Sequence, residues 1–316
     1  MLSRARIEEA AAFLQPRLRQ TPVELSPALS ARAAVPVWLK LESLQLTGSF
    51  KIRGAWFRLH RASREERRAG VVTCSAGNHG KAIAYAARAE GIRAVIFVPA
   101  TVDEAKLRGM QALGADVRRL AFPGFDETQA AALDAAQRDG MPFISAFDDY
   151  DVMAGNGGSL ALETAQQLPD ARSYFLPVGG GGLAAGFAVG VEAPGVRLLG
   201  CQHEQSPALR LSLDRGSAVT TLPFVETLAA GVEGGIGELT FAELRTRVHD
   251  VVLVSEAEIR SAVKWMVREH QYLIEPTAAV TVAALLSGRF PPLPGAAVVM
   301  VCGRNVDSRV AAQLLA

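Results

Sequence analysis

Short β-branched runs alternate with alanine-rich stretches along most of the 316-residue chain, and this alternation limits the fold more than any other feature. Residues 70–74, 93–98 and 116–120 read as buried strands, separated by helical patterns at 78–90, 103–113 and 126–138. Gly114 stops the second of those helices. A second series follows, with strands at 173–178, 196–202, 251–254 and 296–301 and helices at 183–191, 256–270 and 277–286. Strands alternating with helices predict parallel sheets covered by helices, and two such series predict two α/β domains. The stretch 207–239 is poorer in pattern and predicts long loops. Residues 1–18 read as an amphipathic helix.

Composition removes several classes of function. Hydrophobic residues make up 49% of the chain and charged residues 21%, ordinary values for a globular protein. A net charge of +1 gives no reason to expect nucleic acid or an acidic membrane as a partner. No apolar run reaches about 18 residues, so no membrane-crossing helix is expected. The N-terminus mixes Glu8 and Glu9 with arginines and lacks the apolar core of a targeting signal. Cys74, Cys201 and Cys302 lie far apart, without metal-ligand spacing or a disulfide framework, which fits a reducing cytosol.

Four motifs carry chemistry. In the first, Thr47-Gly48-Ser49-Phe50-Lys51, Thr47 or Ser49 is placed to cap a helix beginning near Phe50. Lys51 then falls in the first turn, at the positive end of the helix dipole. It is either a surface lysine or an amine made nucleophilic by a site that disfavours its charge. In the second, Ser75-Ala76-Gly77-Asn78-His79 follows a strand and opens a helix, where free N–H groups suit a carboxylate. A capped polar loop is the plainer alternative. In the third, Gly179-Gly180-Gly181-Gly182-Leu183 joins a strand to a helix. Four consecutive glycines are costly in chain entropy, and a phosphate wrapped in their N–H groups would explain them better than a flexible turn. The run matches neither a Walker A loop nor a dinucleotide fingerprint. In the fourth, Cys302 ends a buried strand and is either a thiol facing a cleft or a small buried residue.

Together and in this order, the four motifs resemble the fold type II pyridoxal-phosphate enzymes, and within them the serine/threonine dehydratases and serine racemase. The likeness runs from Thr21-Pro22 to Asp307 and includes Ala154-Gly155-Asn156-Gly157 and Leu273-Ile274-Glu275-Pro276-Thr277-Ala278. It implies a fold like that of the tryptophan synthase β chain. A smaller α/β domain would span 47–146, and a larger one would combine 1–46 with 147–316. The cofactor would lie in the cleft between them. It also implies pyridoxal 5'-phosphate on Lys51, Phe50 against its ring, Asn78 on the ring oxygen and Gly179 to Leu183 around the phosphate. Ser75, Ala76, Gly77, Asn78 and His79 would grip the substrate carboxylate, and Cys302 would replace the usual serine at the pyridine nitrogen. A neutral partner there leaves the ring a weaker electron sink and favours prompt loss of a β-substituent.

The implied activity is that of a lyase. A small 3-hydroxy amino acid of the L-threonine or L-serine type would lose its hydroxyl after Lys51 removes the α-proton, giving a 2-oxo acid and ammonia. The alternatives are a racemase, a β-replacement synthase, or a dehydratase of a larger substrate such as hydroxyaspartate, phenylserine or a hydroxyectoine-derived compound. Ala230, Glu233, Gly234 and Gly235, in the loop expected over the substrate side chain, leave that range open. A homodimer in the cytoplasm is expected. A C-terminal regulatory domain is not, since the chain stops soon after Asp307. Two departures stand out. Ala76 replaces the serine that serves serine racemase as its opposite-face acid/base, which argues against two-base racemisation. Arg210 occupies the position of an aspartate that, with a glutamate, binds a divalent cation in many relatives. A Glu204–Arg210 ion pair in place of that metal is the expectation, with a solvated Arg210 as the alternative.

Overall fold

The computed structural model describes residues 1–121 and 125–315. Among them, three strands form one parallel sheet: β3 (Val71–Cys74), β4 (Ala94–Val98) and β5 (Asp116–Arg119), in the order β3-β4-β5. Six strands form the other: β1 (Val23–Leu25), β2 (Val37–Lys40), β6 (Ala171–Pro177), β7 (Arg197–His203), β8 (Asp250–Val254) and β9 (Ala296–Met300). Their order is β1-β2-β9-β6-β7-β8, and only the β1–β2 pair is antiparallel. β4 is buried at every position, as a central parallel strand covered on both faces should be.

The helices carry local signals that explain their limits. Helix Asn78–Glu90 ends at Gly91, which takes φ 65°. Helix Glu256–His270 begins with a reciprocal Ser255–Glu258 capping box and ends with Arg268 and His270 in its last turn. Helix Gly182–Gly190 is buried at all nine positions and Pro276–Ser287 at nine of twelve. Both read as apolar all round, as helices in the middle of a layered fold must. The stretch thought poor in pattern holds helix Ala208–Arg215 and then irregular chain up to Gly237.

Two features depart from expectation. β1 and β2 give no strand signal because both are short and β2 ends in a fully buried lysine, Lys40, which interrupts the apolar run. Helix Lys51–His60 has Phe50 at its cap position, in a helical conformation, and no side-chain cap. Ser49 instead forms a backbone bridge with Gly303, and the hydroxyls of Thr47 and Ser49 are buried without a partner.

Candidate active site

The four motifs meet where the strands of both sheets end. β3 runs into residues 75–77, β6 into the glycine loop and β9 into Cys302, so all three deliver their loops from the carboxyl ends of parallel strands. Lys51 opens its helix, and its Nζ donates to the Ala146 carbonyl at 2.8 Å. Burial pulls the Lys51 ammonium down to about 8, against the opposing pull of Cys302 and Glu275. The amine lies 5.2 Å from the centroid of the Phe50 ring, which is itself buried.

Phe147, next to Ala146, packs on the glycine loop. A Cβ on Gly180 would stand 2.3 Å from the Phe147 ring, so no side chain fits at that position. The N–H groups of Gly179, Gly180, Gly181, Gly182, Leu183 and Ala184 meet no protein acceptor among the described residues. The Gly180 carbonyl, by contrast, is held by the N–H of Gly237 and the hydroxyl of Thr240. A row of unpaired donors at the start of a nine-residue helix fits a phosphate. The N–H groups of Ala76, Asn78 and His79 are likewise without protein acceptors among the described residues, while that of Gly77 donates to Ser75 Oγ at 3.2 Å. They fit a carboxylate.

His79 contributes its backbone and not its ring. The imidazole is buried, its Nε2 lies 3.4 Å from the Ile144 carbonyl and its Nδ1 has no partner. Burial, reinforced by the Lys51 charge, pushes its pKa down to about 3, so the ring stays neutral. Cys302 is also buried. Burial first, and then the Glu275 carboxylate, push its thiol well above the ordinary range. It therefore remains a neutral SH and offers no charge to a ring nitrogen.

Sequence reasoning gave no role to three residues that complete the cluster: Glu275, Asn305 and Ala146. Asn78 Nδ2 donates to Glu275 Oε1 at 2.7 Å, and the Asn305 N–H donates to Glu275 Oε2 at 3.1 Å. Asn305 Nδ2 donates to Asn78 Oδ1 at 2.6 Å. Burial pushes the Glu275 carboxyl up to about 7, although both of those bonds act to lower it. A Cβ on Gly303 would meet Glu275 Oε1 at 2.4 Å, so glycine there makes room for the carboxylate. The available signal was an acidic residue placed just before a helix-opening proline, Pro276, where it caps nothing.

The expected Glu204–Arg210 pair does not form. Glu204 is exposed, and Arg210 Nη2 donates instead to Asp250 Oδ1 at 2.8 Å and to the Val251 carbonyl at 3.0 Å. β8 is an edge strand whose first residues lie within reach of the guanidinium, while an exposed Glu204 keeps its hydration and needs no partner.

A family model described as pyridoxal-phosphate dependent enzyme matches residues 14–303. The L-threonine ammonia-lyase of Geobacter sulfurreducens is 38% identical over 312 residues, covering 97% of this chain and 76% of that protein. The catabolic L-threonine dehydratase of Escherichia coli is 35% identical over 310 residues, covering 96% of this chain and 93% of that one. Maize serine racemase superposes with a TM-score of 0.91 at 28% identity, over 98% of this chain and 95% of that one. Lys51, the glycine loop and Cys302 all fall inside the matched span, and the chain belongs to the pyridoxal-phosphate dependent enzymes.

Proposed function

We propose that this enzyme is a lyase that removes the β-hydroxyl from a small 3-hydroxy amino acid of the L-threonine or L-serine type, yielding a 2-oxo acid and ammonia. The observation that carries the reading is the Lys51 amine, lowered to about 8 and held 2.8 Å from the carbonyl of Ala146, whose neighbour Phe147 packs on the glycine loop. Pyridoxal phosphate, when bound, supplies the electron sink that makes an α-proton removable. The glycine loop would hold its phosphate, Phe50 would cover its ring, Asn78 would meet its ring oxygen and Cys302 its ring nitrogen. Residues 75–79 would hold the substrate carboxylate through backbone N–H groups. Lys51, once released from the cofactor, would be the base that takes the α-proton, a role suited to an amine whose pKa lies near neutrality. Relatives named for threonine support the substrate class.

The division into a smaller unit at 47–146 and a larger one made of 1–46 and 147–316 belongs to the same reading. The three-stranded sheet lies wholly within the first segment and the six-stranded sheet wholly outside it. A homodimer, as the resemblance implies, is part of the proposal and is measured by sedimentation. Independence from divalent metal loses its expected support, because Arg210 pairs with Asp250 and leaves Glu204 exposed. Chelator treatment followed by a turnover assay decides whether a cation is used. No helix among the described residues is long and apolar enough to cross a membrane.

The test is a 2-oxo acid assay across a panel of 3-hydroxy amino acids, run beside Lys51→Ala. The variant is expected to lose the visible absorbance of the bound cofactor and to lose turnover by about a thousand-fold or more. Cofactor found on Lys40 or Lys81 would overturn the assignment, as would a panel without any 2-oxo acid release.

A further inference from the structure

Asn78 is half-buried at the mouth of its helix, and which end of its amide faces the cleft decides what it can offer a ligand. The oxygen and nitrogen ends of such an amide are alike in size and shape, so the neighbours decide which is which. Asn305 has two neighbours whose roles are not in doubt. Its Nδ2 faces the Thr47 carbonyl at 2.8 Å, which can only accept, and its Oδ1 faces Lys81 Nζ at 3.2 Å, an ammonium that can only donate. The Asn305 amide therefore has one possible orientation. The group it presents to Asn78 is Nδ2, a donor, so the Asn78 atom 2.6 Å away must be the oxygen. That turns Asn78 Nδ2 towards Glu275 Oε1 at 2.7 Å. A flip would set the Asn78 oxygen against the Glu275 carboxylate and its amino group against another amino group.

Asn78 Oδ1 is thus occupied by Asn305, and one of the two Nδ2 hydrogens by Glu275. One hydrogen is left. We propose that Glu275, with Asn305, is a positioning residue that locks Asn78 as a pure donor, so that the oxygen it meets on the cofactor ring is the ionised one. The inference rests on the reading of Asn78 as the ring-oxygen contact. The lock also joins the two sheet systems, because Asn78 and Lys81 stand on the helix after β3, whereas Glu275 and Asn305 come from the segments flanking β9. Glu275 makes no hydrogen bond to Lys51 or Cys302, and its direct hold is on the Asn78 amide and the Asn305 N–H.

The test compares the wild-type protein with Asn78→Ala, Glu275→Ala and the double variant by spectral titration with pyridoxal phosphate. Asn78→Ala is expected to move the visible band and to weaken cofactor binding about ten-fold, the loss of one good hydrogen bond. Glu275→Ala should move the band the same way and reproduce most of that loss, and the double variant should bind no more weakly than either single one. Glu275→Gln, which keeps an acceptor for Asn78, should recover most of the affinity. If Glu275→Ala does not fold, Asn305→Ala removes the other half of the lock and should shift the band likewise. The proposal is overturned if the band moves in Asn78→Ala but stays in place in Glu275→Ala or Asn305→Ala, or if the two losses add in full. A band unmoved in Asn78→Ala itself overturns the reading of Asn78 and the proposal with it, and is recognised by that variant alone.

Discussion

The Arg53 guanidinium grips the Glu42 carboxylate through two parallel bonds of 2.8 Å, Nε to Oε2 and Nη2 to Oε1. Neither side chain is exposed beyond 3%, and Arg53 also reaches Glu163 at 2.9 Å. Lys40, fully buried, completes the group with bonds to Glu163, Gln167 and the Thr21 carbonyl. Arg53 lies two residues beyond Lys51, so this cluster anchors the helix that presents the Lys51 amine. Bidentate geometry of this kind is what makes arginine irreplaceable by lysine.

Arg53→Met should therefore destabilise the protein by about 3–5 kcal/mol, because it strands a buried Glu42 carboxylate without its partner. Urea denaturation measures the loss. A change under about 1 kcal/mol would mean that Lys40 alone satisfies the carboxylates.

The glycine loop gives a steric prediction. Gly180→Ala places a methyl carbon 2.3 Å from the Phe147 ring. The ring or the loop must shift, at a cost of about 1–3 kcal/mol for overpacking. Cofactor affinity should fall by at least ten-fold, while Ala146 still holds Lys51. Equilibrium dialysis with pyridoxal phosphate decides it, and wild-type affinity in the variant would show that the loop does not grip the phosphate.

Stereochemistry depends on Ala76. This side chain has no exchangeable proton, so L-serine incubated in heavy water should give pyruvate with little D-serine. Ala76→Ser should raise D-serine formation relative to pyruvate. Comparable rates of the two products in the wild-type enzyme would sink the elimination reading.

His79 sets part of the acid stability. Its folded pKa of about 3 lies below the ordinary 6.5, so between those values the unfolded chain binds the extra proton. Stability from this group is complete above pH 6.5 and is lost as pH falls towards 3. The full effect is at most about 5 kcal/mol. Glu275, raised from 4.5 to about 7, works the other way, costing stability as pH rises through that window. The difference between the wild type and His79→Gln isolates the histidine. The variant's stability should gain less, or fall more, than the wild type's as pH rises from 4 to 6.5, and parallel profiles would show that His79 is solvated.

Much of the fold was legible because apolar periodicity reports burial directly. Helix 256–270 was bounded by its capping box and its C-terminal basic residues, and the central strands by unbroken Val, Ile and Leu runs. β2 was not legible, because a lysine in an apolar strand looks like a surface residue until Glu163 and Gln167 are known to meet it. The same holds for the site. Lys51, Asn78 and the glycine loop stand in compact motifs with local signals. Glu275 and Asn305 lie 197 and 227 residues from Asn78, and only the folded chain shows that they hold it. Arg210 illustrates the opposite error, since the resemblance to a cation site suggested Glu204 while the neighbouring strand supplied Asp250.

Ala146 and Phe147 are consecutive. The first receives the Lys51 amine and the second fills the space against Gly180. Neighbouring α-carbons across a trans peptide are about 3.8 Å apart and cannot stretch. One rigid peptide link thus ties the residue that holds the Lys51 amine to the residue that shapes the glycine loop. A single residue inserted between Ala146 and Phe147 would move one of these contacts relative to the other, so the two ends of the site cannot be shifted independently along this segment.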